Sequence, residues 1–192
     1  MEMKEIRQDL RNNEKLKDAV KVILTEIGED ANREGLERTP FRYAKACEEW
    51  FGGYNKNPEE ILDRVFSEKY DSMVIMRNIS FFSHCEHHCT PFFGSVDIAY
   101  IPDKYVTGLD KLIKLVEIFA KRLQIQERLT EQIADSIWKI LNPKGVMVII
   151  KAKHLCIGSR ETRNQTTDTI TSAIRGCFEK QEIRMEALNL LK

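Results

Sequence analysis

Residues 72–101, SMVIMRNISFFSHCEHHCTPFFGSVDIAYI, decide how this chain folds. Around the central CEHHCTPF, residues 72–82 and 94–101 are rich in Val, Ile, Phe and Tyr, the side chains that suit a pleated, half-buried surface. Two such runs joined by a short bend are expected to pair antiparallel. A bend crowded with histidine and cysteine then stands at one end of a sheet, where functional groups gather.

Working outward toward the N-terminus, residues 14–27 place Leu16, Ala19, Val20, Ile23, Leu24 and Ile27 at helical spacing, and Gly28 stops the pattern. Arg38-Thr39-Pro40 puts a capping threonine before a proline at the first helical position, and the pattern continues through Ala44, Cys47 and Trp50 to Gly52-Gly53. Asn57-Pro58-Glu59-Glu60 opens a third, short helix. Toward the C-terminus, 110–123 and 129–141 have helical periodicity, separated by the polar stretch 124–128 and ended by Asn142-Pro143. Residues 146–156 begin as an apolar run and then alternate, 167–178 supply a partner strand, and a charged helix ends the chain. The expected class is α+β: an N-terminal helical segment over residues 1–66, then a domain over 67–192 with an antiparallel sheet and helices on one face.

At 192 residues there is room for one ordinary domain and a small helical appendage. Lys plus Arg and Asp plus Glu are both 30, so no broad cationic face for nucleic acid is expected and any anion site is local. No apolar run approaches the roughly 20 residues of a membrane span, and the charged start MEMKEIRQDLRNNEKLKD does not read as a signal peptide. The expectation is a cytoplasmic protein without a membrane partner, whose five cysteines are thiols.

The chain has only four histidines: His84, His87 and His88 flank Cys85, and His154 stands two residues before Cys156. Cys85 and His88 can reach one ion across a turn of chain. His154 and Cys156, two apart in an expected strand, would project from one face. Structural zinc modules gather four ligands in closely spaced knuckles, whereas two clusters this far apart suit a catalytic site with three protein ligands and a position for water. Cys47, Cys89 and Cys177 read as ordinary buried thiols.

At these residues the sequence resembles the GTP cyclohydrolase I family, which opens pterin biosynthesis. The likeness runs through GEDANREGLERTPFRYAKA, SHCEHHCTPFFGSVDIAYIP, GLDKLIKLVEIFAKRLQIQERLTEQIA and HLC, in that order. It implies the tunnelling fold and a homo-oligomer, in this family usually a decamer with active sites at subunit interfaces. It maps zinc ligands onto Cys85, His88 and Cys156, acid/base histidines onto His87 and His154, and purine contacts onto Gln126 and Glu127. The implied reaction hydrolyses C8 of the guanine of GTP, releases it as formate and yields 7,8-dihydroneopterin triphosphate. Glu86 can orient a histidine from behind.

The triphosphate end departs from the family pattern. Lys111 and Arg160 match it, but Asp110 stands where the family has serine, Lys114 where it has arginine, and Glu161 where it has glycine. Asp110 reads as a helix cap and is a poor phosphate contact. Lys114 keeps charge without the guanidinium fork. Arg42 and Arg163 can compensate. Four alternatives stay open: a diverged cyclohydrolase taking a related purine nucleotide, a noncatalytic purine-binding protein, a structural zinc module, and the related nitrile reductase class.

Overall fold

The computed structural model describes residue 10 and residues 12–62, 65–67, 70–160 and 163–192. Residues 1–9, which carry half of the charged start discussed above, and Glu161 lie outside the described residues.

Among the described residues three α-helices come first, α1 (Glu14–Glu26), α2 (Thr39–Phe51) and α3 (Pro58–Ile61), with a 3-10 turn over Gly52–Asn55 between the last two. Asn13 caps α1, its side chain accepting from the Leu16 amide, and Asn57 caps α3 in the same way. Thr39 does not cap α2: it is the first helical residue, behind Arg38, and the turn is started by the fixed φ of Pro40 instead. After the short strand β1 (Val65–Ser67) come β2 (Val74–Cys85), β3 (Pro91–Ile101), β4 (Tyr105–Thr107), α4 (Leu109–Ala120), β5 (Leu123–Gln124), α5 (Gln126–Leu141), β6 (Gly145–His154), the single turn α6 (Leu155–Gly158), β7 (Thr169–Gly176) and α7 (Gln181–Leu190).

The main sheet has the order β5-β2-β3-β6-β7, antiparallel throughout except for the β5–β2 pair, and β1 pairs with β4 separately. The expected class holds: an antiparallel sheet built as ββααββ, with α4 and α5 on one face. Leu129, Ile133, Ile137 and Leu141 form a stripe on α5 with no exposure, against Val146, Val148 and Ile150 of β6. Each such side chain contributes roughly 1.5–3 kcal/mol on burial, before entropy is counted. The other face is covered in part by α7 and the turn that precedes it, where Ala187 and Phe178 respectively meet Ala99 and Met147.

The N-terminal helices dock onto the end of α4 through close backbone contact. Gly53 N donates to Lys121 O at 3.1 Å, and a Cβ on Gly53 would stand 2.0 Å from Ile118 O. Arg122 donates to the carbonyls of Gly53, Ile118 and Lys56 at 3.1–3.2 Å, with its guanidinium 4.9 Å from the Phe119 ring centroid. Trp50 and Phe51 of α2 enclose the imidazole of His84, which is 3 % exposed.

Candidate metal centre and active site

β2 runs three residues past its apolar stretch and ends on Cys85. Ser83 and His84 are buried there, paired with Phe92 and Pro91 of β3. The chain then turns through residues 86–88, and the turn is tied down on both sides. Cys85 N donates to Thr90 O (2.8 Å), Cys89 N to Cys85 O (2.8 Å), and Glu86 N to Gln124 O of β5 (3.0 Å). Cys89 takes the left-handed conformation, φ 51°, that closes this turn. Glu86 has its firmest hold from a cation. Arg128 on α5 holds it through two bonds of 2.5 and 3.1 Å, which also keeps its carboxyl below the usual range.

At the far end of the sequence, β6 stops at His154 and Cys156 lies on the turn α6, so the expected alternation along one strand is not how these residues are placed. The helical turn aims Cys156 at Cys85. Ligand atoms of Cys85, His88 and Cys156 lie within 4.8 Å of one another. Burial first, and then the neighbouring Cys85, push the Cys156 thiol above its ordinary pKa. Two thiolates side by side are unfavourable unless a cation joins them, and the set of two sulfurs and one imidazole without a carboxylate suits zinc. In tetrahedral zinc sites donor atoms stand roughly 3.5–4 Å apart, within the separation seen here.

His87 is exposed in the turn, with Nδ1 3.7 Å from Cys85 Sγ. His154 is half-buried, its ring stacked on Phe92 at 4.7 Å between centroids and 3° between planes. Burial lowers its pKa, with Glu127 pulling the other way. A cavity of about 330 Å³ opens beside it, bounded by Phe93, Ser159, Asn164 and Thr167. A larger one of about 570 Å³, around Phe82, Phe93 and Ile113, contains none of the site residues.

Glu127 is exposed in the first turn of α5, but Gln126 is only 2 % exposed. The Gln126 amide nitrogen donates to Ile150 O, Thr169 O and Thr171 Oγ1 at 3.0–3.1 Å, and its oxygen lies 2.8 Å from His154 Nε2. Arg160 reaches back to the metal cluster, Nη1 2.6 Å from His88 Nε2. Arg163 follows in the left-handed region. Lys111 and Lys114 stand in the first half of α4, whose other end leads to β5, so a single chain does not bring them to the cysteines. Asp110 is the second residue of α4, behind the N-cap position held by Gly108, and its carboxylate pairs with Lys114 at 2.8 Å. Arg42 is exposed on α2. Among the described residues no helix is long and apolar enough to cross a membrane.

An antiparallel ββααββ sheet that gathers two thiols and an imidazole at one end, with two more imidazoles beside them, defines a tunnelling-fold protein with a candidate metal centre. Comparison with known proteins makes this specific. The family model described as GTP cyclohydrolase I matches residues 16–192, and the chain belongs to that family. It is 52% identical over 179 residues to the GTP cyclohydrolase 1 of Desulforamulus reducens, covering 92% of this chain and 96% of the relative. The GTP cyclohydrolase 1 of Pelotomaculum thermopropionicum is 51% identical over 180 residues, with 93% and 96% covered. Among solved structures, the apo archaeosine synthase QueF-Like aligns with 56% of this chain and 97% of its own, at 21% identity and a TM-score of 0.46.

Proposed function

We propose that the protein hydrolyses GTP at C8 of the guanine ring, releasing formate and forming 7,8-dihydroneopterin triphosphate. The observation that carries this reading is the convergence of Cys85, His88 and Cys156, from turns far apart in sequence, with His87 and His154 alongside. Zinc bound by these three residues supplies Lewis acidity toward water and the purine. The chain's own residues do the rest. His154 and His87 carry protons to and from the ring, with His154 as donor to the ring nitrogen. The Glu127 carboxylate accepts from the N1 and N2 hydrogens of guanine, an arrangement adenine does not satisfy. Phe92 holds the His154 ring plane and excludes water from one side of it.

The phosphate end belongs to Arg160, Lys111, Lys114 and Arg42. Lys111 and Lys114 lie away from the cysteines of their own chain, and both β7 and most of β2 have a strand partner on one side only among the described residues. These features support a homo-oligomer in which one copy's lysines complete a neighbour's site, and the family resemblance makes that oligomer a decamer. The Asp110–Lys114 ion pair favours a second reading, a purine nucleotide with fewer phosphates handled by the same chemistry. Incubating zinc-loaded protein with GTP, dGTP, GDP and GMP, while following formate and the fluorescent oxidised pterin, tests both. Formate and pterin from GTP, lost in Cys156→Ala, uphold the first; reaction only with a shorter nucleotide selects the second; no reaction with any removes both.

A further inference from the structure

We infer that Gln126 is a positioning residue that holds His154 in the Nε2–H form, so that every proton His154 exchanges with substrate passes through Nδ1. The inference rests on His154 acting in the reaction proposed above. It begins with the amide, whose orientation is settled by its neighbours. Ile150 O and Thr169 O are carbonyls and only accept, and they lie 3.1 and 3.0 Å from Gln126 Nε2. Turning the amide over would set its oxygen against both. The NH₂ group therefore faces these carbonyls and Thr171 Oγ1, sharing two hydrogens among three acceptors, and Oε1 faces His154.

An amide oxygen only accepts, so the imidazole nitrogen 2.8 Å from it must carry a hydrogen. A neutral ring protonated at Nδ1 alone would place two lone pairs against each other in a group that is 2 % exposed. Two forms remain, the neutral ring with Nε2–H and the cation with both. They differ only at Nδ1. In the acid step the Nδ1 proton passes to the guanine ring nitrogen, leaving the neutral Nε2–H ring, which regains a proton from water at the same atom. Phe92, with no exposure, fixes the plane of the ring, and Gln126 fixes its rotation within that plane. Gln126 is thus removed from the purine contacts that the family resemblance implied, and guanine recognition falls to Glu127.

The test is the ring-nitrogen NMR spectrum of the metal-loaded protein labelled with ¹⁵N-histidine. The chain has four histidines, and the His154→Gln spectrum identifies the signal of interest. A protonated Nε2 with a bare Nδ1 in the neutral ring is expected; a bare Nε2 with a protonated Nδ1 overturns the proposal. Gln126→Met adds a kinetic readout: kcat for GTP falls about 10–100-fold with KM within about twofold. A rise in KM with kcat unchanged would overturn the proposal by making Gln126 a substrate contact. If wild-type protein releases no formate from GTP, the functional reading fails, while the spectrum still decides the form of His154.

Discussion

Arg160 Nη1 lies 2.6 Å from Nε2 of His88, a contact that spans the two halves of the metal cluster. A guanidinium only donates, so it engages the imidazole lone pair. The bond holds the guanidinium beside the two cysteines, where the phosphate end of the proposed substrate would meet it. Arg160→Ala is expected to raise KM for GTP about three- to tenfold while zinc per chain stays unchanged. An unchanged KM would remove Arg160 from the phosphate contacts.

His84 gives a pH dependence of stability. Burial holds its pKa below the usual 6.5. The unfolded chain therefore takes up the proton first on acidification, so the stabilisation is complete above about pH 6.5 and is lost as pH falls from there toward the native value. His84→Phe suits the ring cluster of Trp50, Phe51 and Phe82. The melting temperature of this variant should decline less than that of wild type between about pH 7 and about pH 5. Parallel profiles would mean that His84 does not titrate as described.

Gly53 is required by the approach of two backbones, with Ile118 O and Lys121 O at 2.0 and 2.8 Å from the site of a Cβ. Gly53→Ala should destabilise the protein by about 1–3 kcal/mol, because the N-terminal helices must back away from α4. Thermal melting reads this directly. An unchanged melting temperature would show that these helices contribute little to the fold.

The long periodic elements of the sheet domain were legible because their apolar faces are buried: α4, α5 and the middles of β2, β3 and β6 follow the spacing of their side chains, whereas α1 is helical as read although only Val20 and Leu24 of its apolar face are buried. The edges of the site were not. β2 continues through Ser83 and His84, polar residues that are buried because β3 and the aromatic rings of α2 enclose them. β5 is two residues long and exists only because Gln124 pairs with Cys85. Gln126 enters the sequence reading only as a purine contact implied by the resemblance, and nothing local reveals that three acceptors from β6 and β7 await its amide. Cys85, His88, His154 and Cys156 were legible as clusters, but their meeting depends on the register of β3 with β6, which sets Phe92 beside His154.

Asp110 neutralises Lys114 on the surface of α4, the two held at 2.8 Å with the Asp110 carboxyl below its usual pKa through that bond. Asp110→Ser frees the ammonium and removes a negative charge. KM for GTP should fall about three- to tenfold, and KM for GMP much less. Equal changes for the two nucleotides would place α4 away from the phosphates.

The most direct measurement of the central claim, that Cys85, His88 and Cys156 form a three-ligand catalytic zinc site, is zinc-edge X-ray absorption on the loaded protein, with metal counted per chain. The account predicts one zinc per chain, with two sulfurs and one imidazole nitrogen from the protein and a fourth position left to solvent, and loss of the metal in Cys156→Ala. A fourth protein ligand, or undiminished zinc in Cys156→Ala, would contradict it.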